Sequence, residues 1–351
     1  MAMADVTVHG AGIFGLSVAW ECARRGARVR VIEKTAIGAG SSGGLVGALA
    51  PHVPENWNDK KAFQLESLLL APDFWAGVAA ASGRDPGYAR TGRLQPLADE
   101  HAVERARARA EEAALLWRGA AQWRVVEAAS FGTWAPASPT GLLIHDTLSA
   151  RLHPRQAGAA LAAAIQALGG EIVIGTIPET GKPDGAVLWA TGVEGLADLG
   201  AALNRPLGTG VKGQALALRH AAQDLPQLFV EGLHIVPHGD GTVAIGSTSE
   251  REFSDPSSTD AQLDVLEQRA RAACPVLADA PVVARWAGVR PRARSRAPML
   301  GHWPGRPGHF IANGGFKIGF GMAPGVARVM ADLLLEGHDR IPPEFRVEAS
   351  L

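Results

Sequence analysis

The sequence is short of cysteine, tyrosine, net charge and long apolar runs, and each shortage removes a class of protein. Only Cys22 and Cys274 occur among 351 residues. Two thiols outside any CxxC pair build neither a disulfide framework nor a zinc site, and the usage fits a reducing cytoplasm. No HxxxH pair or carboxylate cluster suggests another metal. The 34 Lys and Arg residues meet 35 Asp and Glu, for a formal charge of -1. That balance provides no global attraction to nucleic acid or to an anionic membrane. No apolar run reaches about 18 residues, so no membrane-spanning helix is expected. The apolar stretch from Gly10 to Trp20 follows Asp5, lacks a basic region before it and is interrupted by glycine, so it reads as structure rather than a leader.

Glycine is the opposite case, with 42 residues against a usual share of about 7%. No collagen-like period accounts for them, so the surplus belongs in turns and close backbone approaches. With 47% apolar and 20% charged residues the chain is ordinarily globular. Its length allows about two domains of roughly 150 residues each.

Val6 to Val8 reads as a strand, Leu16, Ala19, Trp20 and Ala23 as one helical face ending at Gly26, and Val29 to Ile32 as a second strand. This is a βαβ unit. A glycine-rich segment follows, with Gly38, Gly40, Gly43, Gly44 and Gly47 inside ten residues, ended by Pro51. Asp99 to Trp123 predicts a long surface helix, and His153-Pro154 opens another through Leu168. Ile172 to Ile174 and Val187 to Ala190 read as strands. Ala215 to Leu218, Leu228 to Val230, His234 to Val236 and Val243 to Ile245 are short and divided by turns, which predicts an antiparallel sheet. A helix is expected over Ala261 to Ala273, a strand over Phe310 to Ala312 and a final amphipathic helix over Val326 to Leu335.

Gly10-Ala11-Gly12-Ile13-Phe14-Gly15 matches GxGxxG in the required context, between a strand and a helix, with Glu33 ending the next strand 23 residues after Gly10. Gly10 permits the tight turn, Gly12 leaves room for a pyrophosphate, and Gly15 lets helix and strand approach; the helix N-terminus offers free N–H groups. Glu33 would accept hydrogen bonds from ribose hydroxyls, which disfavours a 2′-phosphate. NAD and FAD stay open on these residues alone.

Gly38 to Leu49, GAGSSGGLVGAL, resembles the GSGATGAAAGML-type segment of the D-amino acid oxidase family of flavoproteins, which includes glycine oxidase and sarcosine oxidase. The resemblance continues through VLWATG (187–192), RPLGTGVKGQ (205–214), HIVPHGDGTVAIGST (234–248), WAGVRPRARSRAPMLG (286–301) and ANGGFKIGFGMAP (312–324). It implies an α/β protein, with a Rossmann-like FAD-binding domain from residues 1–80, 143–210 and 286–351. A second, α+β substrate domain of 81–142 and 211–285 would be built on the antiparallel sheet. It implies non-covalent FAD, with contacts from Gly10, Gly12, Ile13, Phe14, Gly15, Glu33, Lys34, Gly40, Ser41, Ser42, Leu45, Val46, Gly47, Ala48 and Leu49. Further contacts would come from Ile177, Thr191, Gly192, Gly314, Gly315, Phe316, Lys317, Ile318 and Gly319.

The implied reaction is glycine oxidase-like: hydride removal from the C–N bond of a small amino acid or N-substituted glycine, with oxygen or a quinone as final acceptor. The cofactor carries that chemistry, so no acid–base residue is strictly required. Arg290 matches the carboxylate-binding arginine of the family's RP motif, and Lys317 the lysine of GHGFKF in sarcosine oxidase, which meets the substrate carboxylate, so both are expected to contact substrate. His234 replaces the family's hairpin tyrosine, Tyr88 being the only tyrosine. His52 could face the flavin ring. Arg292, Arg294 and Arg296 depart from the family pattern and, with Arg290, would line one face of an extended segment. They also suit an acidic or phosphorylated substrate. Two alternatives stand: removal of a carboxymethyl group in tRNA wobble-uridine modification, echoed by GSSGGLVGALAP, and an FAD-stabilised subunit without activity of its own. The oligomeric state stays open.

Overall fold

A computed structural model describes residues 4–176 and 185–351. Two sheets organise them. The first has six strands in the spatial order Met299–His302, His309–Asn313, Ala186–Trp189, Val6–His9, Val29–Glu33 and Glu171–Ile174. All neighbours run parallel except Met299–His302, which is antiparallel to His309–Asn313. Parallel neighbours need crossovers, and the helix Ile13–Arg24 makes the first. It is buried from Ile13 to Ala23 because the helices Pro154–Ala167 and Gly319–Glu336 pack beside it. An almost wholly apolar helix can be stable only under such cover.

The second sheet has eight strands: Val282–Ala293, Gly208–Arg219, Thr242–Gly246, Leu233–Pro237, Gln227–Val230, Arg93–Pro96, Leu142–Asp146 and Trp123–Glu127. Its pairings are antiparallel except that between Gln227–Val230 and Arg93–Pro96. The fold is therefore the expected α/β type with a mostly antiparallel second sheet. Leu142–Asp146 belongs to this sheet, so the boundary expected at 143 falls inside a strand of it. Val282–Ala293 likewise runs across the boundary expected at 286, because it pairs along most of Gly208–Arg219.

Local chemistry explains where elements start and stop. Asp99 caps its helix by accepting from the Ala102 N–H at 2.7 Å. That helix ends at Leu116 rather than at Trp123, because Arg118 and Gly119 take left-handed backbone, and Trp123 then begins a strand. The helix Asp59–Ser82 was not legible in the sequence. It packs against both Pro154–Ala167 and Gly319–Glu336, so its apolar residues form no single stripe. No described helix is long and apolar enough to cross a membrane.

Candidate active site

A cavity of about 910 Å³ opens where the C-terminal ends of the parallel strands face the second sheet. Its walls include His9, Glu33, Gly175, Ala190 and Asn313, each at or just after the end of a parallel strand. That is where an open parallel sheet binds ligands, because the helix N-termini converge there.

One end is built as a dinucleotide cradle. Gly10 has φ +99°, and a Cβ there would lie 2.5 Å from the Ala190 carbonyl oxygen. Gly12 lines the cavity; a Cβ on it would meet only Ser42 Oγ, at 3.3 Å, within 4 Å, and would occupy cavity space. Gly15 lies behind the wall, where a Cβ would be 2.0 Å from the Gly10 oxygen, so its role is close packing. The helix Ile13–Arg24 has no acidic residue in its first turn, and its positive end stays available to phosphate. The Ile13 N–H donates to Ser42 Oγ at 3.0 Å, which draws the second glycine segment across that helix end. Glu33 is oriented by accepting from the N–H of Ala11 at 2.8 Å and of Thr35 at 3.0 Å. Lys34 reaches the cavity edge, paired with Glu194 at 3.2 Å. The open helix end, the space at Gly12 and the positioned carboxylate fit the pyrophosphate and ribose of FAD.

Ile13, Phe14, Gly40, Ser41, Ser42, Leu45, Val46, Gly47, Ala48, Thr191, Gly192, Gly314, Gly315, Phe316, Lys317 and Gly319 also line the cavity. Three expected contacts do not: Gly15 lies behind the wall, Leu49 is fully buried in the core, and Ile318 caps the helix Gly319–Glu336. Ile177 lies outside the described residues. Both cysteines are buried away from the cavity, and burial pushes each thiol up to about 12.

The other end is polar and positive. Arg290 is 6% exposed. Its Nη2 donates to Ser247 Oγ at 2.9 Å and to the Thr248 carbonyl at 3.0 Å, while Nη1 is buried with no partner. Burial lowers its pKa to about 10, opposed by Glu250, so it stays cationic at neutral pH. Lys317 lies on the same cavity and is exposed, its Nζ 5.7 Å from the Phe316 ring centre. Partial desolvation, then Arg290 and Arg292, lower its pKa. His234 stands on the strand Leu233–Pro237, its ring centre 4.7 Å from that of Phe229, with Nδ1 buried and unpartnered. Burial, then Arg93 and Lys317, bring it down to about 3, so the ring is neutral at ordinary pH.

His52 departs from expectation. It does not line the cavity; its N–H donates to Gln64 Oε1 at 2.7 Å and its Nδ1 meets the same oxygen. The four alternating arginines also separate. The strand ends at Ala293 and turns, leaving Arg290 on the cavity, Arg292 5.5 Å over the Phe316 ring, and Arg294 and Arg296 exposed. Arg294 donates to the Leu351 carbonyl at 3.1 Å. Alternation holds only while a strand continues. Ser247, Phe229 and Trp286 also form part of the wall. Ser247 and Trp286 stand inside the quoted motifs, whereas nothing local marked Phe229.

Similar proteins agree with this architecture. The chain is 35% identical to a glycine oxidase of Pseudomonas aeruginosa over 179 residues, 50% of this chain and 48% of that protein. It is 28% identical to a glycine oxidase of Pseudomonas putida over 366 residues, 97% of this chain and 96% of that one. The match thus spans about half of the first relative and nearly all of the second. The crystal structure of glycine oxidase from Geobacillus kaustophilus superimposes with a TM-score of 0.83 at 24% identity, covering 99% of each chain, which establishes the shared fold. The model of the DAO family, FAD dependent oxidoreductase, matches residues 5–333, and with the cradle described above this chain belongs to that family of FAD-dependent oxidoreductases.

Proposed function

We propose that the chain oxidises the C–N bond of a small amino acid or N-substituted glycine. The observation that carries this reading is Arg290: a buried guanidinium with one nitrogen unpartnered, on the same cavity as the dinucleotide cradle. A buried cation lacking a carboxylate partner is costly, and a substrate carboxylate supplies the missing charge and hydrogen bond. The tether of Nη2 to Ser247 and Thr248 fixes the guanidinium and leaves the buried Nη1 as its unsatisfied donor.

FAD, held by the Gly10–Gly12 turn and Glu33, would supply the two-electron acceptor for the hydride that leaves the substrate carbon. The substrate nitrogen gives up a proton, and water hydrolyses the resulting imine to an oxo acid and ammonia or a primary amine. The chain's own contribution is to hold the carboxylate on Arg290, so that the reacting carbon has one orientation. Neutral His234 offers Nδ1 to the substrate's polar end without adding charge. The positive field of Arg290 and Lys317 favours the uncharged amine, the form that can be oxidised. The two sheets on either side of the cavity limit water at the reacting carbon.

The final electron acceptor in this reading is oxygen or a quinone. We also propose that the six-stranded sheet with its helices is the FAD-binding unit and that the eight-stranded sheet carries the substrate side. Anaerobic mixing of the purified holoprotein with glycine, sarcosine, D-amino acids and D-proline tests the reading. At least one should bleach the oxidised flavin spectrum within the mixing experiment; an unchanged spectrum with all of them would refute it.

A further inference from the structure

We propose that the natural substrate carries a second carboxylate, remote from the one held by Arg290, and that Lys317 receives it. This inference rests on the amino-acid reading above and narrows it to a substrate class. The geometry behind it is two cations at different depths of one cavity. Arg290 is 6% exposed, with Nη1 buried and without a hydrogen-bond partner. Lys317 is exposed on the same cavity, so one carboxylate anchored on the deep cation leaves the outer one facing a further arm of the substrate. Among the described residues no carboxylate pairs with Lys317, whose contact is the Phe316 ring at 5.7 Å. Arg292, 5.5 Å from the centre of the same ring, adds positive charge beside it.

The acid nearest in effect to Arg290 is Glu250, and it is engaged elsewhere. It lies 3.7 Å from Lys212 Nζ and accepts from Gln214 Nε2 at 3.1 Å, both of which are buried. The cationic excess in the cavity is therefore left for the ligand. A monocarboxylic amine in its reactive, uncharged-amine form brings one negative charge; a dicarboxylic one brings two. An acidic side chain or an N-carboxymethyl arm would each supply the second carboxylate. The competing arrangement, in which both cations hold a single carboxylate, leads to a different experimental outcome.

The test compares kcat/KM of the holoenzyme for glycine, sarcosine, iminodiacetate, D-aspartate and L-aspartate. Dissociation constants of malonate and acetate, read from the bound-flavin spectrum, provide a measurement that requires no turnover. At least one dicarboxylic amine should exceed glycine by about tenfold or more, and malonate should bind more tightly than acetate. Lys317→Met should remove most of both ratios, and Lys317→Arg should restore them. Iminodiacetate against the aspartates distinguishes the N-carboxymethyl arm from the side chain. Dicarboxylic amines no better than glycine would overturn the proposal while leaving amino-acid oxidation intact. Equal losses for glycine and the dicarboxylic amines in Lys317→Met would overturn it in favour of a single shared carboxylate. If no amine reduced the flavin, the amino-acid reading itself would fail and this inference with it.

Discussion

Arg290 and Gly12 divide the work of the cavity at the level of single side chains. Removing the guanidinium in Arg290→Ala deletes the proposed carboxylate partner while leaving the cradle untouched, since Arg290 makes its bonds to Ser247 and Thr248. Loss of a buried, charge-assisted pair predicts a fall in kcat/KM of about 100-fold or more, with FAD still bound. Arg290→Lys keeps the charge but not the planar fork, so it should recover only part of that loss. Unchanged kcat/KM in the alanine variant, with FAD retained, would exclude the carboxylate role. Gly12→Val tests the other end. Its side chain has open cavity space rather than core to enter, so the protein should fold with its normal circular dichroism spectrum but purify with much less flavin. Gly47→Ala should behave differently. With φ +61°, its Cβ would fall 1.7 Å from the Leu152 oxygen, so expression and folding should fail along with flavin binding.

Elements rather than residues hold the second glycine segment in place. His238, at the end of the hairpin and 1% exposed, donates from Nε2 to the Leu45 carbonyl at 2.9 Å. The Leu152 N–H donates to the Gly47 carbonyl at 2.9 Å from the opposite side. Burial, then His153, lowers the His238 pKa from 6.5 to about 4. A histidine depressed in the folded state is protonated first in the unfolded one. Its neutral form therefore costs no stability above pH 6.5, and stability falls as pH drops from there to about 4. The loss from this group is on the order of 3 kcal/mol across that window, and His234 acts in the same direction. Unfolding by urea at pH 7 and pH 4.5 should show a smaller difference for His238→Gln than for the unaltered chain, glutamine keeping a donor without titrating. An equal difference in both proteins would remove His238 as a source of acid sensitivity.

At the scale of the whole molecule, the cavity is shared between two sheets with separate hydrophobic clusters beneath them. A ligand spanning both should therefore stabilise the molecule as a unit. Binding to the folded state alone adds RT ln(1 + [FAD]/Kd), about 2.7 kcal/mol at a hundredfold excess over Kd. The melting temperature of flavin-stripped protein should accordingly rise with added FAD, by several degrees at that excess. A melting temperature indifferent to FAD would contradict the cradle assignment.

The sequence by itself determined the features that depend on neighbours along the chain. The GxGxxG turn, the capped helices, the alternating strands and the glycine segments each follow from local backbone and side-chain chemistry, and Glu33 could be assigned because a βαβ unit fixes its distance from Gly10. Tertiary structure decided whatever depends on contacts between distant segments. Arg290 is held in place by Ser247 and Thr248, with Nη1 buried and unpartnered, and Gly213 leaves the space its guanidinium occupies, since a Cβ there would lie 1.3 Å from Arg290 Nη2. His52 turned to Gln64, on a helix with no readable stripe, and Arg294 and Arg296 left the cavity because the strand ends at Ala293. Burial, desolvation and unpaired polar atoms are properties of packing across the chain, and they set the charge of the site.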